Sequence, residues 1–173
     1  MNRHTATACT IVLCALFSGS STTLVKAESA PVYVHMNGAN FFLESDISVE
    51  PGQPVIFVSQ DTGGVHTIIG YDAHTGAPMP SIKGTVQKTA GPGHAVSTYT
   101  VRLKTIGVYE YYCSVHAILA KTFGGAIQPA HRPGIDGFTG AMAGTIVVTR
   151  DRALLNSNPA TSMQLIVAGF FGG

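Results

Sequence analysis

Three residues have types and spacing that could bind a metal. Cys113 and His116 sit three positions apart at the end of "GVYEYYCSVH", and His66 opens the run "HTIIG" just after the Gly-rich stretch "SQDTGG". A thiolate with one imidazole is a soft-plus-borderline donor pair suited to copper or zinc. A second imidazole from an adjacent strand would make a trigonal site. Met142, opening "MAGTIVVTR", is the candidate for a weak axial thioether; that His2Cys-plus-Met set is the one used in blue-copper electron transfer. Other readings of Cys113 are a buried inert thiol, an intermolecular bridge or a nucleophile. Nothing in "CSVH" supplies the orienting Asn or Asp and oxyanion site that a nucleophile would need, and the spacing to His116 favours a metal ligand. Met142 could equally be a plain core methionine.

The leader isolates this thiol. Residues 1–27, "MNRHTATACTIVLCALFSGSSTTLVKA", combine a basic start at Arg3, a short apolar run and a small-residue end, the pattern of a signal peptide cut after Ala27. The apolar run is too short for a membrane span, so no permanent anchor is expected after cleavage. The protein is expected to be periplasmic or secreted. Of the three cysteines, two leave with the leader, so Cys113 has no partner for an internal disulfide in an oxidising compartment.

The elements that must position these donors read as strands. "PVYVHM", "DISVE", "PVIFVSQ", "VHTIIG", "VSTYTVRL", "VYEYYC" and "GTIVVTR" are strand-length and rich in β-branched and aromatic residues, which predicts an all-β sandwich. "SVEPGQPVIFV" carries a Pro-Gly turn between two runs, the local mark of a hairpin. Strand alternation puts Tyr109, Tyr111 and Cys113 on one inward face and Val108, Glu110 and Tyr112 on the other; in the same way it turns Tyr99, Val101 and Leu103 inward. Residues 28–173 form one domain of ordinary size. Within it, the Gly- and Pro-rich segment 117–141 reads as an inserted loop near the site, and residues 153–173 read as a C-terminal extension with an apolar tail. The chain is 11% charged, with ten Lys and Arg against nine Asp and Glu, so it offers no basic surface for nucleic acid.

The chain resembles the cupredoxins, the small blue copper proteins that include plastocyanin, pseudoazurin and amicyanin. Gly107, Tyr109, Tyr111, Cys113 and His116 match the family's aromatic strand and its ligands, and Met142, Ala143, Gly144 and "TIVV" match its closing strand. "FFLESDISVEPGQPVIFVSQDTGGVH" is similar to its strand, Pro-Gly turn, strand and ligand His. The resemblance implies a Greek-key β-sandwich holding one type 1 copper, with His66, Cys113 and His116 as equatorial ligands. It further implies an electron carrier, not an enzyme, whose partners are redox proteins such as a cytochrome or an oxidoreductase. The chain departs from the family in its long spacing between His116 and Met142, in Gln60 standing where an Asn links the ligand loops, and in Val65 before the first His. Met36, Met79, Met142 and Met163 are too scattered for a Cu(I)-binding motif, which places a copper carrier or store second; a small copper enzyme with an open coordination position comes third. His131 is expected at the surface, although its place in the insertion would let it replace His116 or cap an open site. His35, His74 and His94 are read as ordinary histidines.

Overall fold

The computed structural model describes residues 29–36, 38–59, 64–89, 96–137 and 139–158. The leader, Gln60, His94, Met163 and the apolar tail lie outside them.

Ten strands and one short helix follow in chain order: β1 Val32–Met36, β2 Asp46–Val49, β3 Pro54–Ser59, β4 His66–Tyr71, β5 Pro78–Val86, β6 Ser97–Arg102, β7 Gly107–Tyr112, β8 Ala117–Lys121, β9 Ile127–His131, β10 Ala143–Val148 and α1 Arg152–Leu155. They form a three-stranded sheet in the order β1-β3-β6, a five-stranded sheet in the order β2-β10-β7-β4-β5, and a separate β8-β9 ribbon. The two larger sheets enclose one core: Val34, Val55, Phe57 and Val101 from the first meet Ile47, Val49, Ile68, Ile82, Tyr111 and Ile146 from the second. The period of two read in the sequence shows in the burial of β4 from His66 to Ile69, whereas β1, β2 and β3 are buried on successive residues. Val101 and Leu103 are buried and Tyr99 packs against the core, as the alternation predicts.

The Pro-Gly turn does not make a hairpin. β2 pairs in parallel with β10 in the larger sheet, whereas β3 lies between β1 and β6 in the smaller one. The turn at Pro51–Gly52 therefore carries the chain from one layer to the other. Gly52 has φ 84°, a left-handed conformation open to glycine at little cost, and the turn closes with Gln53 N–H donating to the Glu50 carbonyl at 3.0 Å.

The segment expected as an inserted loop, 117–141, carries a two-stranded ribbon in its first part. β8 and β9 pair antiparallel from Ala117↔His131 to Lys121↔Ile127, joined by a turn in which Thr122 N–H donates to the Ala126 carbonyl at 2.8 Å. The ribbon leaves the sandwich immediately after His116 and runs back beside it: Ile127 N–H donates to the Ala73 carbonyl at 2.8 Å, and the Ile127 and Leu119 side chains rest on Gly76. Ala73 lies past the far end of β4, about 20 Å of strand from His66 at ~3.3 Å per residue. The base of the ribbon is thus at the His116 end, while its tip, with Phe123 fully exposed, is at the other.

No helix among the described residues is long and apolar enough to cross a membrane.

Candidate metal centre

The candidate ligands come from neighbouring strands. β10, β7 and β4 are adjacent in the five-stranded sheet. His66 is the first residue of β4, Cys113 follows the last residue of β7, His116 ends the next turn, and Met142 immediately precedes β10. The register between β10 and β7 pairs Ala143 with Tyr112; one step further, Cys113 N–H donates to the Met142 carbonyl at 2.9 Å. Directly opposed residues of an antiparallel pair share a face, with Cβ atoms typically about 5 Å apart. Both side chains are fully buried, so Met142 projects inward beside Cys113.

The turn after Cys113 is short and closed. The Cys113 carbonyl accepts from His116 N–H at 3.1 Å and from Ala117 N–H at 2.8 Å. That fold-back brings His116 Nδ1 to 3.2 Å from Cys113 Sγ, and the His66 and His116 rings lie 4.9 Å apart between centroids. One donor atom from each of His66, Cys113 and His116 falls within 4.8 Å of the other two. His66 and Cys113 are completely buried and His116 is 8% exposed, which makes His116 the ligand nearest to solvent.

Thr67, which the sequence did not single out, links the two ligand-bearing segments. Its N–H points at Cys113 Sγ at 3.3 Å and its hydroxyl lies 3.7 Å from the same sulfur. The hydroxyl oxygen also accepts from Ser114 N–H at 2.7 Å and sits 2.9 Å from the Ser114 hydroxyl. Gln60, expected in a linking role, lies outside the described residues. Burial alone would push the Cys113 thiol up. Hydrogen bonds from His66, the Thr67 N–H and His116 outweigh that and hold it down at about 6. A thiol biased toward thiolate beside two imidazoles, in a dry setting, has the softness and charge to hold a single copper ion, and the donor set fits that metal.

The other histidines are elsewhere. His35 is buried and paired with Glu44, whose carboxylate lies 3.2 Å from Nδ1 and accepts the His35 N–H at 2.7 Å. His74 lies in the exposed turn after β4. His131 ends β9 opposite Ala117 and does not join the three-donor group. The insertion contributes Arg132 instead: its Nη2 donates to the Ser114 carbonyl at 2.8 Å and to the Ala117 carbonyl at 3.3 Å, and its N–H donates to the His116 carbonyl at 3.2 Å.

Fold and site together define a β-sandwich protein with a buried His2Cys centre of copper type. No protein-family model matches the chain, and no curated protein matches it in sequence. Among solved structures the chain is similar to a purple cupredoxin from Nitrosopumilus maritimus, at 17% identity with 68% of this chain and 99% of that chain covered and a TM-score of 0.44. It is also similar to amicyanin from Paracoccus versutus, at 12% identity with 72% and 86% covered and a TM-score of 0.42. An oxidised methionine-to-leucine mutant of amicyanin aligns at 14% identity, 68% and 81% covered, with a TM-score of 0.43.

Proposed function

We propose that the protein carries single electrons between redox proteins outside the cytoplasm, through one copper held by His66, Cys113 and His116 with Met142 as axial ligand. The observation that carries this reading is the convergence of the three buried donor atoms within 4.8 Å of one another at one end of the five-stranded sheet. A copper ion held there would supply the Cu(II)/Cu(I) couple. The chain's part is to keep its donors still. His66 is anchored by the β4–β5 ladder opposite Val86, Cys113 by the β7–β10 ladder and His116 by the turn closed on the Cys113 carbonyl. Fixed donors leave little to rearrange when one electron arrives or leaves, and the donors around the sulfur tune the potential. His116, the ligand nearest to solvent, is the natural exit for an electron toward a docked protein.

Addition of Cu(II) to the mature protein is expected to give an intense visible band from sulfur-to-copper charge transfer that bleaches reversibly on reduction. A colourless protein that takes up only Cu(I) would replace the shuttle with a carrier. The fourth ligand is tested by spectra of Met142→Leu and His131→Ala beside the parent. The reading expects a change in the first and none in the second.

A further inference from the structure

We propose that Arg132 is a positioning residue for the metal centre, so that the 117–141 insertion forms part of the site. The proposal rests on the copper reading given above. Arg132 makes three contacts with the loop that carries His116: Nη2 donates to the carbonyls of both Ser114 and Ala117, and the main-chain N–H donates to that of His116 itself. These carbonyls flank and include the ligand, so the residue holds both ends of a four-residue span. The Ser114–His116 turn lies between strands, since β7 stops at Tyr112 and β8 starts at Ala117, and Thr67 of β4 holds it at Ser114 N–H. The carbonyls on either side of the ligand are left to Arg132, whose planar guanidinium holds them with charge-assisted hydrogen bonds from Nη2.

The second observation concerns charge. Arg132 is part-buried, its Nε is shielded from solvent without a hydrogen-bond partner, and no carboxylate pairs with it among the described residues. Sequestering a cation without a counter-ion is unfavourable, and carbonyl dipoles offset only part of that cost. Beside a redox metal the uncompensated charge has an effect. Reduction of Cu(II) to Cu(I) removes one positive charge from the centre, so a fixed neighbouring cation favours the reduced state. Arg132 therefore acts in two separable ways, by its Nη2 contacts on the geometry of His116 and by its charge on the reduction potential.

Two variants separate these effects in the full mature chain. Arg132→Lys keeps the charge and loses the planar guanidinium that places Nη2; Arg132→Gln loses both. In the copper-free protein, amide exchange at His116 and Ala117 is expected to speed up roughly tenfold in both variants, with the β10-β7-β4 amides unchanged. In the copper-loaded protein, both variants are expected to show an altered electron paramagnetic resonance spectrum, and only Arg132→Gln a lowered reduction potential. Parental exchange at His116 and Ala117 in both variants would overturn the clamp, and a parental potential in Arg132→Gln would overturn the charge effect. Should Arg132→Gln not fold, Arg132→Lys still tests the clamp. If the parent takes up no copper, the functional reading fails while the exchange measurement still decides the clamp.

Discussion

At the scale of single residues, the sulfur of Cys113 is the group on which most depends. In the copper-free protein its thiol is held at about 6, below the ordinary thiol value, so between about pH 6 and the unfolded value of 9.0 the unfolded chain binds one more proton than the native one. Stability of the copper-free protein should therefore rise with pH across that window, and the contribution should be lost as pH falls through about 6. Urea unfolding of the parent and Cys113→Ala at a series of pH values checks this: the rise is expected in the parent and not in the variant. Thr67→Val keeps the shape but leaves Ser114 N–H without its acceptor, and is expected to cost about 1–3 kcal/mol. It also removes a hydroxyl from beside the sulfur, which should lower the reduction potential of the loaded protein; voltammetry on the variant measures that. His66, Cys113 and His116 were legible in the sequence because their residue types are unusual and their spacing fits one chemistry. Thr67 and Arg132 were not, because a threonine beside a ligand and an arginine in a loop look like any surface residue until the fold brings them to the turn.

Among elements, the strands that were missed share a cause. β5, "PMPSIKGTV", holds two prolines and a glycine and reads as a connector, yet it lies at the edge of the five-stranded sheet, where a proline without an N–H breaks no interior ladder. β8 and β9 carry no strong alternation, and Pro129 interrupts the second; they hold together as a ribbon because Ile127 and Leu119 find cover on Gly76. Central strands such as β3 and β10, buried and β-branched, were legible because burial imposes the pattern that the sequence displays. β10 also shows how tightly neighbouring strands of one sheet meet. A Cβ on Gly144 would collide with the Ser45 carbonyl oxygen and stand 2.5 Å from the Tyr111 hydroxyl. Gly144→Ala is expected to destabilise by about 1–3 kcal/mol. Tyr111→Phe should cost less, because the Ser45 carbonyl keeps the Thr145 N–H at 2.8 Å when the phenol is removed. Chemical denaturation of the two variants gives the order.

Over the whole molecule, the candidate ligands come from segments far apart in sequence that meet only in the native fold. Copper binding is thus linked to folding, and stripping the metal with a chelator under reducing conditions should lower Tm, with restoration on re-addition. An unchanged Tm would mean that the donors bind equally well in the unfolded chain. The sandwich was legible from the sequence, but the crossing of Pro51–Gly52 between layers was not: a Pro-Gly pair fixes a turn, and which sheet the next strand joins is decided by long-range pairing.

All four candidate ligands come from β10, β7 and β4 or the turns at their ends, three neighbours in one sheet. The layers of a sandwich can slide or swell against each other on heating while each ladder stays intact, because hydrophobic contacts yield gradually and a ladder breaks cooperatively. Colour in the loaded protein should then outlast the first loosening of the interior, with tyrosine fluorescence changing before the visible band fades. A centre whose donors were split between the two layers would lose both signals together.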